Sequence, residues 1–392
     1  MNFHVGAHPR TVALTAVFAS TCLGLVALFM FFPLLLFTLK GLGWSDAWVG
    51  GIAAIEWLGL AIGTPFVAAW VRRMGLRRAF FISGLVPFLA YLGITLTPWP
   101  ALWALLILLS GVAGSMRWIV AEAAVAELAN AATRGRTVGL FGTMISLTYI
   151  VGPALLAWVG TEGDAAERSR WTAVAIGGLG MLVGLGMPQM NSHLDAAGDT
   201  SATRLGWRGI ADALRAAPLL LVAGAMGGFY EAGGTGVLPL YGLALGLGTG
   251  MAALLVSACG VGGTLTMAPV GLLADRWSHR RIYLLAAAAT TLASAAMLLV
   301  PSWPPLAYIV AGVWGGSGGA MYTLAMADAG ARGKGVTLVN FTAVLVLSYT
   351  LGGSLGPLLG GFALSAAPGW GLPVLMTTVA LIGWAVLWRS TE

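Results

Sequence analysis

Gly271-Leu272-Leu273-Ala274-Asp275-Arg276-Trp277-Ser278-His279-Arg280-Arg281 reads as a short basic turn set between two apolar runs, 249–274 and 282–300. Each run approaches or exceeds the roughly 20 apolar residues that a helix needs to cross a bilayer. Outward from this turn the pattern repeats along the chain. Further runs occupy 11–39, 47–70, 79–96, 101–129, 137–160, 171–189, 218–244, 306–329, 336–364 and 371–388, which makes twelve. The joints carry turn chemistry, as in Thr97-Pro98-Trp99-Pro100 and Pro301-Ser302-Trp303-Pro304-Pro305. With only 9% charged residues and a mean hydropathy of +0.89, the chain cannot cover a water-facing surface, and a lipid bilayer is the solvent that suits it. The first run lacks a small-residue cleavage site and is expected to be a retained helix.

The basic residues set the orientation. With the N-terminus in the cytoplasm, sixteen of the 20 Lys and Arg fall on that side: Arg10; Arg72, Arg73, Arg77 and Arg78; Arg134 and Arg136; Arg204, Arg208 and Arg215; Arg276, Arg280 and Arg281; Arg332 and Lys334; and Arg389. Outside lie Lys40, Arg168 and Arg170, and Arg117 sits within a run. This positive-inside bias predicts both termini in the cytoplasm of a bacterium's inner membrane. It also explains the net charge of +6 without nucleic acid.

A polar stretch, 190–217, interrupts the runs and reads as a cytoplasmic linker with a short amphipathic helix around 207–216. It divides an N-terminal six-helix bundle, 1–189, from a C-terminal one, 218–392. The halves echo each other. Phe32-Pro33-Leu34 before Gly41-Leu42-Gly43 returns as Leu238-Pro239-Leu240 before Gly246-Leu247-Gly248. Arg134-Gly135-Arg136 matches Arg332-Gly333-Lys334, and Gly152-Pro153 matches Gly356-Pro357. Two repeats around a midplane site are a transporter architecture.

These landmarks resemble the major facilitator superfamily. Residues 271–281 carry intact that family's G-x-x-x-D-R-x-x-x-R-R/K pattern, after the second helix of a half. The first half departs from it: Ala68 stands for the Gly and Arg72 for the Asp, while Arg73, Gly75, Arg77 and Arg78 remain. Glu127 and Arg134 have the family's E-x6-R spacing, and Asp328 with Arg332 occupy the related place. Gly352-x3-Gly356-Pro357-x2-Gly360-Gly361 resembles the family's antiporter motif, although there it belongs on the fifth helix. Glu122, Glu231-Ala232-Gly233, Leu238-Pro239-Leu240-Tyr241 and Met321-Tyr322-Thr323-Leu324 are similar to the bacterial YcaD-like branch. The resemblance covers nearly the whole chain. It implies an all-α fold of twelve membrane helices in two pseudo-symmetric six-helix bundles, transport by a monomer, and no particular substrate.

Charges inside the runs mark the candidate site. A charge near mid-bilayer costs roughly 2.5–3.5 kcal/mol on insertion scales, so it faces a cavity or a partner. Arg117 lies near the middle of the fourth run, with Glu122 five residues on and so about 140° around the helix; each should look to another helix. Glu56 and Glu231 lie at comparable depth. Arg117 is expected to bind an anionic group or hold a carboxylate. Withdrawal from water favours the neutral form of a carboxyl, so one of Glu56, Glu122 or Glu231 is expected to exchange protons. The alternative is a fixed structural ion pair. Trp118 and Tyr230 are candidates to line the cavity. Arg73, Glu127, Arg134, Asp275, Arg276, Arg280, Asp328 and Arg332 are expected to latch the cytoplasmic helix ends. Gly152, Pro153, Gly352, Gly356 and Pro357 are expected to let the halves pack closely. Trp44, Trp48, Trp99, Trp103, Trp171, Trp303 and Trp370 read as an interfacial aromatic belt.

The function expected is secondary active transport of a small solute by alternating access, the solute being amphipathic and drug-like or an organic anion rather than a sugar, with coupling to protons and export slightly favoured. A sugar site would want several mid-membrane amides, and the chain has few. No metal motif, nucleotide loop or nucleophile elbow occurs, and Cys22 and Cys259 are isolated in apolar runs, so no cofactor, metal or enzymatic activity is expected. The other readings are a non-transporting receptor or assembly partner on the same scaffold, a membrane enzyme, and a channel.

Overall fold

A bilayer core offers no water to backbone N–H and C=O groups, so a spanning chain must satisfy them within helices or a closed barrel. This chain uses helices. The computed structural model describes residues 7–129, 134–187, 207–274, 276–332 and 335–390, and no strand occurs among them. Its helices are α1 (Ala7–Gly41), α2 (Asp46–Met74), α3 (Leu76–Leu96), α4 (Pro100–Leu128), α5 (Arg134–Val159), α6 (Gly163–Gly184), α7 (Trp207–Ala216), α8 (Pro218–Ala244), α9 (Thr249–Ala274), α10 (His279–Ser302), α11 (Leu306–Arg332), α12 (Gly335–Ala366) and α13 (Gly371–Ser390).

All twelve expected runs are long helices, and α7 is the short amphipathic one. Nine of the described helices are long and apolar enough to span on their own, and α8 makes a tenth together with Gly209–Ala216, from which it is bent by 93°. Charge and glycine account for the shortfall. α6 opens with Asp164, Glu167, Arg168 and Arg170, and α11 carries Gly312, Gly315, Gly316, Gly318 and Gly319. The linker residues 190–206 and Asp275 lie outside the described residues, as do the side chains of Arg134 and Arg332.

Helices α1–α6 pack as one group, with α1 against α5 and α6, and α4 against α2 and α3. Helices α8–α13 form the second group, with α9 and α10 against α11, and α12 against α8. The groups meet along α2 with α12 and along α5 with α9. They join firmly at the end away from the Arg-rich turns. There Ala47 N–H donates to Ser365 Oγ at 2.9 Å, Thr161 and Thr249 hydroxyls lie 2.6 Å apart, and Thr249 donates to Glu162 at 3.0 Å. Near the Arg-rich end, the core of the first group is built from its own residues, among them Val17, Phe80, Val120 and Phe141.

The glycine pattern works partly as expected. Gly152 packs α5 on Phe29 of α1, and Gly352 and Gly356 pack α12 on Phe229 and Gly233 of α8, all within one group. The approach between groups is made instead by Gly50, Gly353 and Gly361 with the backbone of Pro357. A Cβ on Gly361 would lie 3.0 Å from the Cα of Gly50. The aromatic belt needs one correction. Trp48, Trp99, Trp303 and Trp370 are exposed, but Trp103 is buried and spends its N–H on Thr97 C=O at 2.9 Å.

These contacts predict opposite outcomes at adjacent positions. Gly50→Ala puts a methyl into the α12 backbone, and such overpacking costs about 1–3 kcal/mol. Gly51→Ala meets open space and gains helix propensity. Thermal unfolding in detergent should fall for the first and hold or rise for the second. Equal shifts would contradict the α2–α12 contact.

Candidate functional site

A cavity of about 290 Å³ lies between the two groups, lined by α1–α6 on one side and by α8, α11 and α12 on the other. Its volume is at the foot of the roughly 300–1,000 Å³ range of small-molecule pockets. Glu56, Arg117, Trp118, Glu122 and Glu231 all line it, so the structure brings five of the six expected site residues together. Tyr230 is the exception. It is 0% exposed, packs on Phe229 and Trp314, and donates its hydroxyl to Met376 C=O at 2.6 Å. Its one-residue offset from Glu231 turns it into the second group.

Arg117 is held from α1. Its Nη1 donates to Ser20 Oγ at 2.9 Å, and Ser20 passes the bond on to Gly180 C=O of α6 at 2.7 Å. The guanidinium carbon stands 4.6 Å from the Phe80 ring centroid, and Gly84 leaves room for Nη2. The side chain is 8% exposed. No carboxylate among the described residues lies within ion-pair distance of it; the ion pairs described are Lys40–Asp46, Arg215–Asp212 and His279–Asp328.

The three carboxylates have separate seats. Glu56 is 7% exposed and accepts from Ser110 at 3.3 Å, because α2 and α4 cross closely where a Cβ on Gly59 would lie 3.0 Å from the Cα of Gly111. Glu122 is the accessible one. It accepts from Trp118 Nε1 at 2.8 Å, one helical turn back, so its partner is on its own helix rather than on another. Glu231 belongs to a π-helical turn, Gly228–Ala232, inside α8. Such turns are rare and occur often at functional sites. Glu231 accepts from the Tyr349 hydroxyl at 3.1 Å and lies over Gly319, whose missing side chain makes the room.

Sequence reasoning missed Ser20, Ser110, Tyr322 and Tyr349. The available signal was a cluster of hydroxyls inside an apolar run, which Ser348-Tyr349-Thr350 on α12 displays. Tyr349, Tyr322, Trp57 and Trp118 form a continuous aromatic wall, with centroids 4.8–6.1 Å apart. Of the expected latch residues whose side chains are described, Arg73, Glu127, Arg276, Arg280 and Asp328, none lines the cavity. Asp328 engages His279 and, at 3.0 Å, the Tyr283 hydroxyl, all within the second group rather than across the groups. Arg276 and Arg280 are exposed, as is Arg73 on the first group.

Known proteins share this arrangement. Residues 17–346 match the model of the Major Facilitator Superfamily. The chain is 26% identical over 313 residues to the uncharacterized MFS-type transporter YcaD of Escherichia coli, covering 79% of this chain and 78% of that one. It is 27% identical over 325 residues to YcaD of Salmonella newport, with the same coverage. Among solved structures, the nucleoside transporter NupG superposes with a TM-score of 0.75 at 12% identity, covering 98% of this chain and 99% of that one. A bacterial homolog of the human lysosomal transporter Spinster, inward-facing and unoccupied, gives 0.72 at 16% identity, with 97% and 96% covered.

The seat of Arg117 separates two kinds of arginine. Losing one partner of a buried structural ion pair costs roughly 3–5 kcal/mol because the other charge is stranded, whereas replacing a buried charge that has no counter-charge by an apolar group of similar size strands nothing and removes its desolvation cost. Arg117→Met should therefore hold or raise the unfolding temperature. Ser20→Ala, which strips a charge-assisted hydrogen bond, should cost about 1.5–3 kcal/mol. A large loss for Arg117→Met would make it a structural residue.

Proposed function

The chain belongs to the major facilitator superfamily and is a multi-pass secondary transporter, and from that premise we propose that the central cavity carries a small organic anion, coupled to protons, with export the favoured direction. The observation that carries this reading is Arg117, a buried cation facing a cavity with no carboxylate beside it among the described residues. A permanent charge so placed is expensive unless an anion visits it. The lining is otherwise apolar and aromatic, which suits an amphipathic anion better than a sugar.

Glu122 is the proton-exchanging group. It faces the cavity, has one neutral donor, and neither Arg nor Lys pairs with it among the described residues. A carboxyl open to the cavity can exchange its proton with water that enters there. Glu56 is sealed against Ser110 and serves as the reserve site.

Alternating access follows from how the groups meet. The closed end is held by a backbone amide on a hydroxyl, a hydroxyl pair, one hydroxyl on the exposed Glu162 carboxylate, and backbone contacts at glycine, and these can part with water taking over the one carboxylate. At the other end, Arg73, Glu127, Arg134, Asp275, Arg276, Arg280, Asp328 and Arg332 form the latch when that end closes, each pair contributing about 0–1 kcal/mol. The transporter works as a monomer in the bacterial inner membrane with both termini cytoplasmic, its bundles being 1–189 and 218–392 about the linker 190–217.

Two measurements test this. In a thermal-shift panel of metabolites, organic anions and cationic drugs, an anion should raise the unfolding temperature of the wild type and not of Arg117→Ala. In proteoliposomes, Glu122→Gln should abolish flux driven by a pH gradient while leaving the fold intact. Gradient-driven flux unchanged in Glu122→Gln would remove the proton assignment, and binding without any flux would favour a receptor.

A further inference from the structure

Each side of the cavity holds a polar group that the protein leaves unsatisfied. Thr21, next to Ser20 on α1, is 3% exposed, lines the cavity and has a buried Oγ1 without a hydrogen-bond partner. Tyr322 on α11 also lines the cavity, and its buried hydroxyl is likewise without a partner. Buried hydroxyls are nearly always bonded, so two orphans in one cavity point to a ligand that bonds them.

The orphans sit in unlike surroundings. Thr21 lines the same cavity as Arg117 from α1, the helix whose Ser20 bonds the guanidinium, and its hydroxyl can donate to an anion. Tyr322 stands within electrostatic reach of both Glu122 and Glu231, against Trp118 at 6.1 Å and Tyr349 at 4.8 Å between ring centroids. Tyrosine and tryptophan rings attract a cation to their faces within about 6 Å, and a carboxylate beside them adds its own charge. A phenolic oxygen accepts from an ammonium N–H. One side of the cavity is therefore built for an anion and the other for a cation, the first on α1 and α4, the second centred on Glu231 of α8 in the other group.

We propose that the solute is a zwitterion, with its acid group on Arg117 and Thr21 and its amine on Glu231, Tyr322 and the aromatic wall. The inference rests on the transport reading above and narrows it: an anion alone leaves Glu231 and Tyr322 unused. It also divides the carboxylates, with Glu231 holding the amine and Glu122 exchanging the proton. Because Arg117 and Glu231 lie on different groups, a solute that reaches both charges ties the groups together, and one that reaches a single charge does not.

The test uses the purified full chain and calorimetric titration with 4-aminobutanoate, 6-aminohexanoate and 8-aminooctanoate, beside the acid and the amine of the same length. At least one amino acid should bind about tenfold or more tightly than both its acid and its amine, the gain expected of one added charge-assisted contact. Arg117→Gln should bring it to the level of the amine, and Glu231→Gln to the level of the acid. Thr21→Val and Tyr322→Phe should each weaken it severalfold without lowering the unfolding temperature of the free protein. If the acids bind as tightly as the amino acids, the zwitterion is wrong and the organic anion stands. If the amines do, or if nothing in the series binds, the zwitterion is wrong and the anion reading must rest on the thermal-shift panel alone.

Discussion

An arginine in the middle of a hydrocarbon-embedded bundle must be given water, a counter-charge or a purpose, and most of this structure can be understood from how Arg117 is housed. Ser20 and the Phe80 face hold the guanidinium without neutralising it. That requires α1 and α4 to be close, α3 to present a glycine at Gly84, and a cavity to remain open beside the charge. The glycine crossings that bring α2 onto α4 seat Glu56 and Ser110 in the same wall. The second group supplies the opposite sign through Glu231, set by a π turn rather than by a regular helix. The site therefore belongs to neither six-helix group alone, and any rocking between them changes it.

The closed end uses a different chemistry. Gly50 and Gly361 let the α2 and α12 backbones touch, and the hydrogen bonds there join an amide to a hydroxyl, two hydroxyls to each other, and one hydroxyl to the exposed Glu162 carboxylate. Such contacts give close packing in lipid, where no hydrophobic force drives helices together. They also separate at small electrostatic cost. The Arg-rich end carries most of the basic residues, which fixes orientation through the membrane and keeps that end hydrated. The asymmetry of the two ends is a consequence of topology as much as of gating.

The spans were legible because hydropathy over about 20 residues depends on composition alone. The amphipathic helix Trp207–Ala216 was legible from the helical spacing of its apolar residues, and the depth of Arg117, Glu56, Glu122 and Glu231 from their places within the runs. Partners were not. Ser20 lies 97 residues from Arg117, and Tyr349 lies 118 from Glu231, and no local pattern encodes such distances. The π turn was hidden because one extra residue in a turn leaves hydropathy unchanged. The motif glycines were visible as close-packing residues, but which helix each would meet was not: Gly352 and Gly356 face α8, while Gly353 and Gly361 face α2. Asp328 was visible as an end charge, and its engagement with His279 inside one group depends on the α10–α11 packing.

The central claim is that the two groups open one end as they close the other. Spin labels on cysteines introduced at Arg73 and Arg280 report the Arg-rich end, and labels at Leu42 and Trp370, both exposed, report the opposite end. Pulsed distance measurements in liposomes across acid and alkaline pH should show two populations at each end, with the Arg-rich pair shortening as the other lengthens. A single distance at both ends under all conditions, or two distances that lengthen together, would contradict alternating access and leave a rigid binding scaffold.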